Sequence, residues 1–239
     1  MPEGGGGKGP RSTLQRMSFK GFPEDALRFY EGLEADNSRE YWLANKATFE
    51  SCVKGPMLAL IDEVPAQYKP FNVFRPNRDV RFASDKSPYK TQIGAVGEGE
   101  GGSIYYVALS AQGLYTGAGY YQMATDQLER FRAAVLDDAT GTEVERIVAA
   151  LTRKGMQAGA MSEVKTAPRG IPKDHPRIVL LRRKGLIVGK AFAIAAWLHT
   201  AGARKRVEQM WADAAPLCAW LDRNVGPSEL PPDDERWVR

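Results

Sequence analysis

The chain has 239 residues, 43% of them apolar and 26% charged, with a net charge of +4. That length suffices for one large domain or two small ones, with a core that needs neither disulfides nor a structural metal. The composition excludes collagen-like, coiled-coil and wholly disordered chains. Two cysteines, Cys52 and Cys218, and two histidines exclude a disulfide framework, a four-cysteine zinc site and a histidine-rich metal centre.

The four glycines Gly4–Gly7 have too little side chain to pack, so residues 1–16 are expected to form a flexible tail. The opening residues hold no apolar core of the secretory type. No apolar run approaches the roughly 20 residues of a membrane-spanning helix. The expectation is therefore a cytoplasmic protein without a membrane partner. One domain is expected over residues 17–225, followed by a C-terminal tail over 226–239.

Pro23, Glu24 and Asp25 suit the first turn of a helix carrying Ala26, Phe29, Tyr30 and Leu33 at helical spacing. Asn37 with Glu40 reads as a capping box for a second helix through Trp42 and Phe49. Gly55-Pro56 should break or kink that helix before Met57. The period then changes. Segments 92–96, 103–110 and 113–121 are rich in β-branched and aromatic residues, with glycine breaks between them. Both alternating faces of 104–109 are apolar, which predicts a central strand covered on both sides. Ala111-Gln112-Gly113 reads as a hairpin turn, and 97–102 as a mobile hairpin tip without the lysine and Ser/Thr of a P-loop.

Thr125 and Thr142 are candidate caps of two further helices. Residues 159–175 read as loop, 178–181 as either helix or strand, and 186–188 as a strand. The apolar stripe from Val207 to Leu221 predicts a long final helix, with Cys218 as a packing residue inside it. Helices, then strands, then helices give an α+β fold: a mainly antiparallel sheet covered by helices.

Charge is unevenly spread. Residues 165–190 hold eight cations against the single acid Asp174, a local charge of +7. Residues 75–90 hold Arg75, Arg78, Arg81, Lys86 and Lys90 against Asp79 and Asp85, or +3, which leaves −6 for the rest of the chain. If 79–82 is extended, Asp79 and Arg81 share one face while Val80 and Phe82 anchor the other in the core. Arginine forks bind phosphate or carboxylate through two bonds, and Lys86 and Lys90 add point charges. The same residues could equally form a structural clamp that staples the loop.

Phe19-Lys20-Gly21-Phe22, Asp36–Trp42, Asn77–Phe82 with Asp85–Lys90, Gly117–Tyr120 and Asp174-His175-Pro176 together resemble the Domain of Unknown Function 2461 family, over about residues 18–222. The resemblance implies no established activity. The glycine-rich start and the glycine–glutamate stretch at 97–102 depart from the family pattern.

Three functions fit these residues. The leading one is a pocket for an anionic small molecule, a nucleotide or phosphate ester. Arg75, Arg78, Arg81, Lys86 and Lys90 would clamp charge, and Tyr89 and Tyr120 would stack or hydrogen-bond. If it is an enzyme, His175 or Asp79 is the candidate general base, since a neutral imidazole takes up a proton near pH 7. Asp174 could instead cap a helix from Pro176, leaving His175 on the surface. The second is nucleic-acid binding through 165–190, and the third a non-catalytic interaction module. The sequence specifies no metal, cofactor or oligomeric state.

Overall fold

The computed structural model describes residues 18–79, 81 and 85–231. The expected tail at 1–16 and the core anchors Val80 and Phe82 lie outside the described residues. Pro23 adopts extended backbone immediately before α1 (Glu24–Ala35), and the acids Glu24 and Asp25 occupy its first turn as the helix dipole favours. The cap of α2 (Arg39–Thr48) is Ser38, whose hydroxyl accepts from the Tyr41 N–H, and not Asn37. Asn37 instead brackets the backbone of Tyr89, donating to its carbonyl at 3.2 Å and accepting from its N–H at 3.0 Å.

Gly55-Pro56 does not break the next helix. A π-helical stretch, Phe49–Lys54, widens the turn so that the Gly55 N–H reaches the Glu50 carbonyl. Pro56 then falls in the first turn of α3 (Gly55–Glu63), where a missing N–H costs little.

The sheet has six antiparallel strands in the order β1-β2-β3-β4-β6-β5. They are β1 (Phe71–Val73), β2 (Gln92–Glu98), β3 (Ile104–Ser110), β4 (Gly113–Tyr120), β5 (Gln157–Gly159) and β6 (Leu186–Phe192). The β3–β4 hairpin turns through Ala111-Gln112, pairing Ser110 with Gly113. Gly113 has φ +115°, and a Cβ there would strike the Phe192 carbonyl, so the turn requires glycine.

Between β4 and β6 come α4 (Thr125–Leu136), α5 (Asp138–Arg153) and α6 (Ile178–Leu181), and α7 (Gly202–Asn224) closes the fold. Ala124 caps α4, with the Gln127 side chain accepting from its N–H. Asp137 caps α5, so Thr142 lies inside that helix. Together these elements form a single domain around one core.

Strand parity decides where that core sits. The register puts Ile93, Ala95, Val107, Leu109, Leu114 and Val188 on one face, and all are buried. Trp211 of α7 lies against this face, its indole N–H donating to the Gly117 carbonyl and its ring beside Phe71 and Tyr105. The opposite face adds no side chain to the core cluster. Among the described residues the core cluster thus covers β3 on one side, where cover on both was expected, although Ala108 on the second face is buried. Tyr106, on that second face, gains its partial burial from neighbouring rings and from glycine beneath it.

The 97–102 tip is tied down, contrary to the mobile loop expected. Asp222 Oδ1 of α7 accepts from the Ser103 N–H (3.1 Å), the Ser103 hydroxyl (2.8 Å) and the Tyr120 hydroxyl (3.1 Å). Tyr120 also donates to the Gly101 carbonyl. Beyond α7, Asp126 accepts from Ser228 and the Glu229 N–H, so the start of the expected C-terminal tail docks on α4.

Candidate functional site

The second face of the sheet is floored by glycine and crossed by aromatic rings. A Cβ on Gly94 would lie 2.6 Å from the Tyr106 hydroxyl, and one on Gly189 would collide with the Tyr115 hydroxyl. Each tyrosine therefore lies over a glycine of the neighbouring strand. Phe74 extends β1 by donating its N–H to the Gly94 carbonyl. The centroid of its ring is 6.3 Å from that of Tyr106, which is 6.1 Å from that of Tyr115. The Gln92 amide donates to the Tyr106 hydroxyl at 3.0 Å. Burial, with smaller contributions from Tyr121 and Tyr115, pushes the Tyr106 hydroxyl up to about 12. Tyr115 and Tyr121 remain 38% and 40% exposed.

Cations gather at the β1 end of this aromatic line. The chain leaves Phe74 and returns to β2 through a narrow neck: Arg78 N–H donates to the Pro88 carbonyl and Lys90 N–H to the Pro76 carbonyl. Tyr89 locks the neck to the body, its ring stacked on Trp42 at 4.4 Å and 9°. Arg78 pairs with Asp85 at 2.6 Å. Among the described residues no carboxylate lies within ion-pair distance of Arg75 or Lys90. The Lys90 ammonium sits 5.3 Å above the Phe74 ring. Burial, then the charges of Arg75 and Arg78, lower the Lys90 pKa from its ordinary value.

A family model described as a conserved hypothetical protein (DUF2461) matches residues 25–220. The chain belongs to the DUF2461 family. No curated protein and no solved structure matches it. The match runs from the first turn of α1 into the last turns of α7, so this DUF2461 domain includes the open face and the Arg75–Lys90 neck.

The residues singled out in the sequence divide into two groups. Arg75 and Arg78 come near enough to Lys90 for their charges to act on it, and Lys90 lies over Phe74. Asp79 and Arg81 lie in the same loop but hold one another: Arg81 Nε and Nη2 donate to the two carboxylate oxygens at 3.0 and 2.7 Å. Those bonds, with the Arg81 N–H, keep the Asp79 carboxyl well below the usual range, so it is a poor proton acceptor near neutrality. Lys86 is exposed in that loop.

Tyr89 and Tyr120 serve the fold. Tyr120 points through the core face, the opposite face from Tyr106, and burial, then Asp222, raises its pKa. His175 Nδ1 accepts from the Arg177 N–H at 3.1 Å, holding the turn before α6, where Asp174 was the expected cap. Among the described residues no hydrogen bond, ion pair or ring contact links His175 to the Arg75–Lys90 cluster.

The basic segment at 165–190 is not one open surface. Arg177 is buried among Glu145, Asp138 and Thr142. Arg182 donates to the Val164 carbonyl, and Arg183 meets Glu163 and the Ala158 carbonyl. The sequence reading missed Phe74, Gln92, Tyr106 and Tyr115. Their signal is faint: Gly94, Tyr106, Tyr115, Gly117 and Gly189 share one strand parity, but Gly97, Tyr105 and Tyr120 fall on the other.

Proposed function

We propose that this protein binds a phosphorylated small molecule bearing a planar group, of which a nucleotide is the simplest case, on the open face of its sheet. One observation carries the reading: among the described residues Arg75 and Lys90 have no carboxylate within ion-pair distance, and Lys90 sits over the ring of Phe74, which neighbours that of Tyr106. Arg75 would grip phosphate through its fork and Lys90 would add a point charge. A planar base on Phe74 and Tyr106 gains apolar contact on a floor that glycine keeps flat. The proposal is confined to binding, because Asp79 is engaged by Arg81 and His175 by the turn before α6.

The test is calorimetric titration with adenosine monophosphate, adenosine and inorganic phosphate, on the wild type and Arg75→Ala. A charge-assisted contact contributes about 1.5–3 kcal/mol, so the variant should bind the nucleotide roughly tenfold to a hundredfold more weakly. Adenosine alone should bind weakly. Equal affinity in Arg75→Ala sinks the proposal.

Tyr115 favours a second reading, in which the aromatic line stacks successive bases of a single strand. Affinity for an oligonucleotide would then fall steeply with salt as counterions are released. A flat response rejects it.

A further inference from the structure

A second concavity lies on the core side of the sheet, away from the open face. β5 is only three residues long and pairs with Ile187–Gly189, so the end of β6 from Lys190 onward projects past it. This leaves a groove of about 420 Å³ between β6, the 3-10 turn Ala196–His199 and α7. That volume is in the range of small-ligand sites. Its apolar lining includes Met156, Phe192, Trp197 and Met210. Phe192 and Trp197 meet edge to face at 5.8 Å.

Three cations stand at this lining, Lys190, Lys205 and Arg206, and among the described residues none has a carboxylate partner. Arg206 stacks over Trp197 at 4.7 Å, and Lys190 lies over Phe192 at 5.5 Å. A stacked guanidinium keeps its in-plane N–H donors for another acceptor. Lys190 donates one bond to the Lys154 carbonyl, which leaves two of its three donors. The single acid of the lining, Asp213, is held by Lys154 at 2.6 Å and by Gln209. The groove thus combines an aromatic wall with uncompensated positive charge.

We propose that this groove is a binding site for a small aromatic carboxylate. Its ring would lie against Phe192, Trp197 and the two methionines, and its carboxylate would face Lys205, Arg206 and Lys190. The site shares no residue with the open face and does not rest on the function proposed there.

The probe is 2-naphthoate, titrated calorimetrically into the full chain, with uncharged 2-naphthalenemethanol as the control of equal ring size. One-site saturable binding is expected with Kd under about 1 mM, a binding free energy of roughly −4 kcal/mol. The alcohol should bind at least tenfold more weakly. Lys205→Glu with Arg206→Glu, both exposed, should weaken naphthoate at least tenfold while Arg75→Ala leaves it unchanged. If the double variant unfolds, Arg206→Gln alone replaces it with the same expectation. No saturation below about 1 mM, equal binding of the alcohol, or undiminished affinity in the charge variants would overturn the proposal.

Discussion

Asp222→Ala tests whether the 97–103 hairpin tip is pinned from a distance. In the native protein one carboxylate oxygen accepts three hydrogen bonds, two from Ser103 and one from Tyr120. The losses differ. The Tyr120 hydroxyl keeps the Gly101 carbonyl at 2.7 Å, and the Ser103 hydroxyl can fall back on the Cys218 carbonyl at 3.4 Å. The Ser103 N–H has no such second partner, and Ser103 is fully buried. An orphaned buried donor costs about 1–3 kcal/mol, and trading two charge-assisted bonds for neutral ones adds about one more. The expected total is roughly 2–4 kcal/mol. A domain of this size loses about 2–4 °C per kcal/mol, so melting should fall by roughly 4–16 °C. Thermal unfolding by circular dichroism reads the total. Amide exchange at 99–103 should accelerate more than exchange in β3. A melting point within a degree or two of wild type, with exchange at the tip unchanged, would refute the pinned-tip account.

Two further outcomes follow from the titratable groups. Burial opposes ionisation of Asp126, but the Glu229 N–H, the Ser228 hydroxyl and Arg130 outweigh it and hold the carboxyl at about 2. Its folded pKa is depressed, so its stabilising effect is present above the unfolded value of about 3.9 and is lost as pH falls toward 2. Asp126→Asn should flatten stability against pH in that window, measured by urea unfolding; an unchanged acid limb would remove Asp126 from the account. The Cys218 thiol is pushed up to about 11, chiefly by burial. It should resist a disulfide reagent at pH 8 in the native protein and react fully in denaturant; rapid native modification of Cys218, located by peptide mapping, would contradict its buried position.

How far the sequence could be read depended on the range of each interaction. The amphipathic stripe of α7, the three central strands and the Ala111-Gln112 turn were legible because each rests on residues a few positions apart. Capping was less so. Asn37 has the right chemistry for a cap, but its side chain is taken by Tyr89, 52 residues away. Gly55-Pro56 carries a breaking signal, and a π-helical turn absorbs it.

The candidate site shows the same division. Arg75, Arg78 and Lys90 stood out as a local excess of charge, and two-residue alternation was enough to place Tyr106 and Val107 on opposite faces of β3. Which face the helices would cover could not be read there, because Ile104, Tyr106 and Ala108 are as apolar as the residues opposite them. That choice belongs to the tertiary structure: α7 packs where Trp211 meets Phe71 and Tyr105, leaving Tyr106 and Tyr115 on glycine. Arg177 with its acids and Asp222 with Ser103 likewise read as charges or polar groups in the sequence and as partners only in the fold. The amino-acid order determined the elements and their faces, since backbone periodicity is a local property. Pairing of faces and charges depends on contacts across the chain, so it was decided only when the sheet closed against α7.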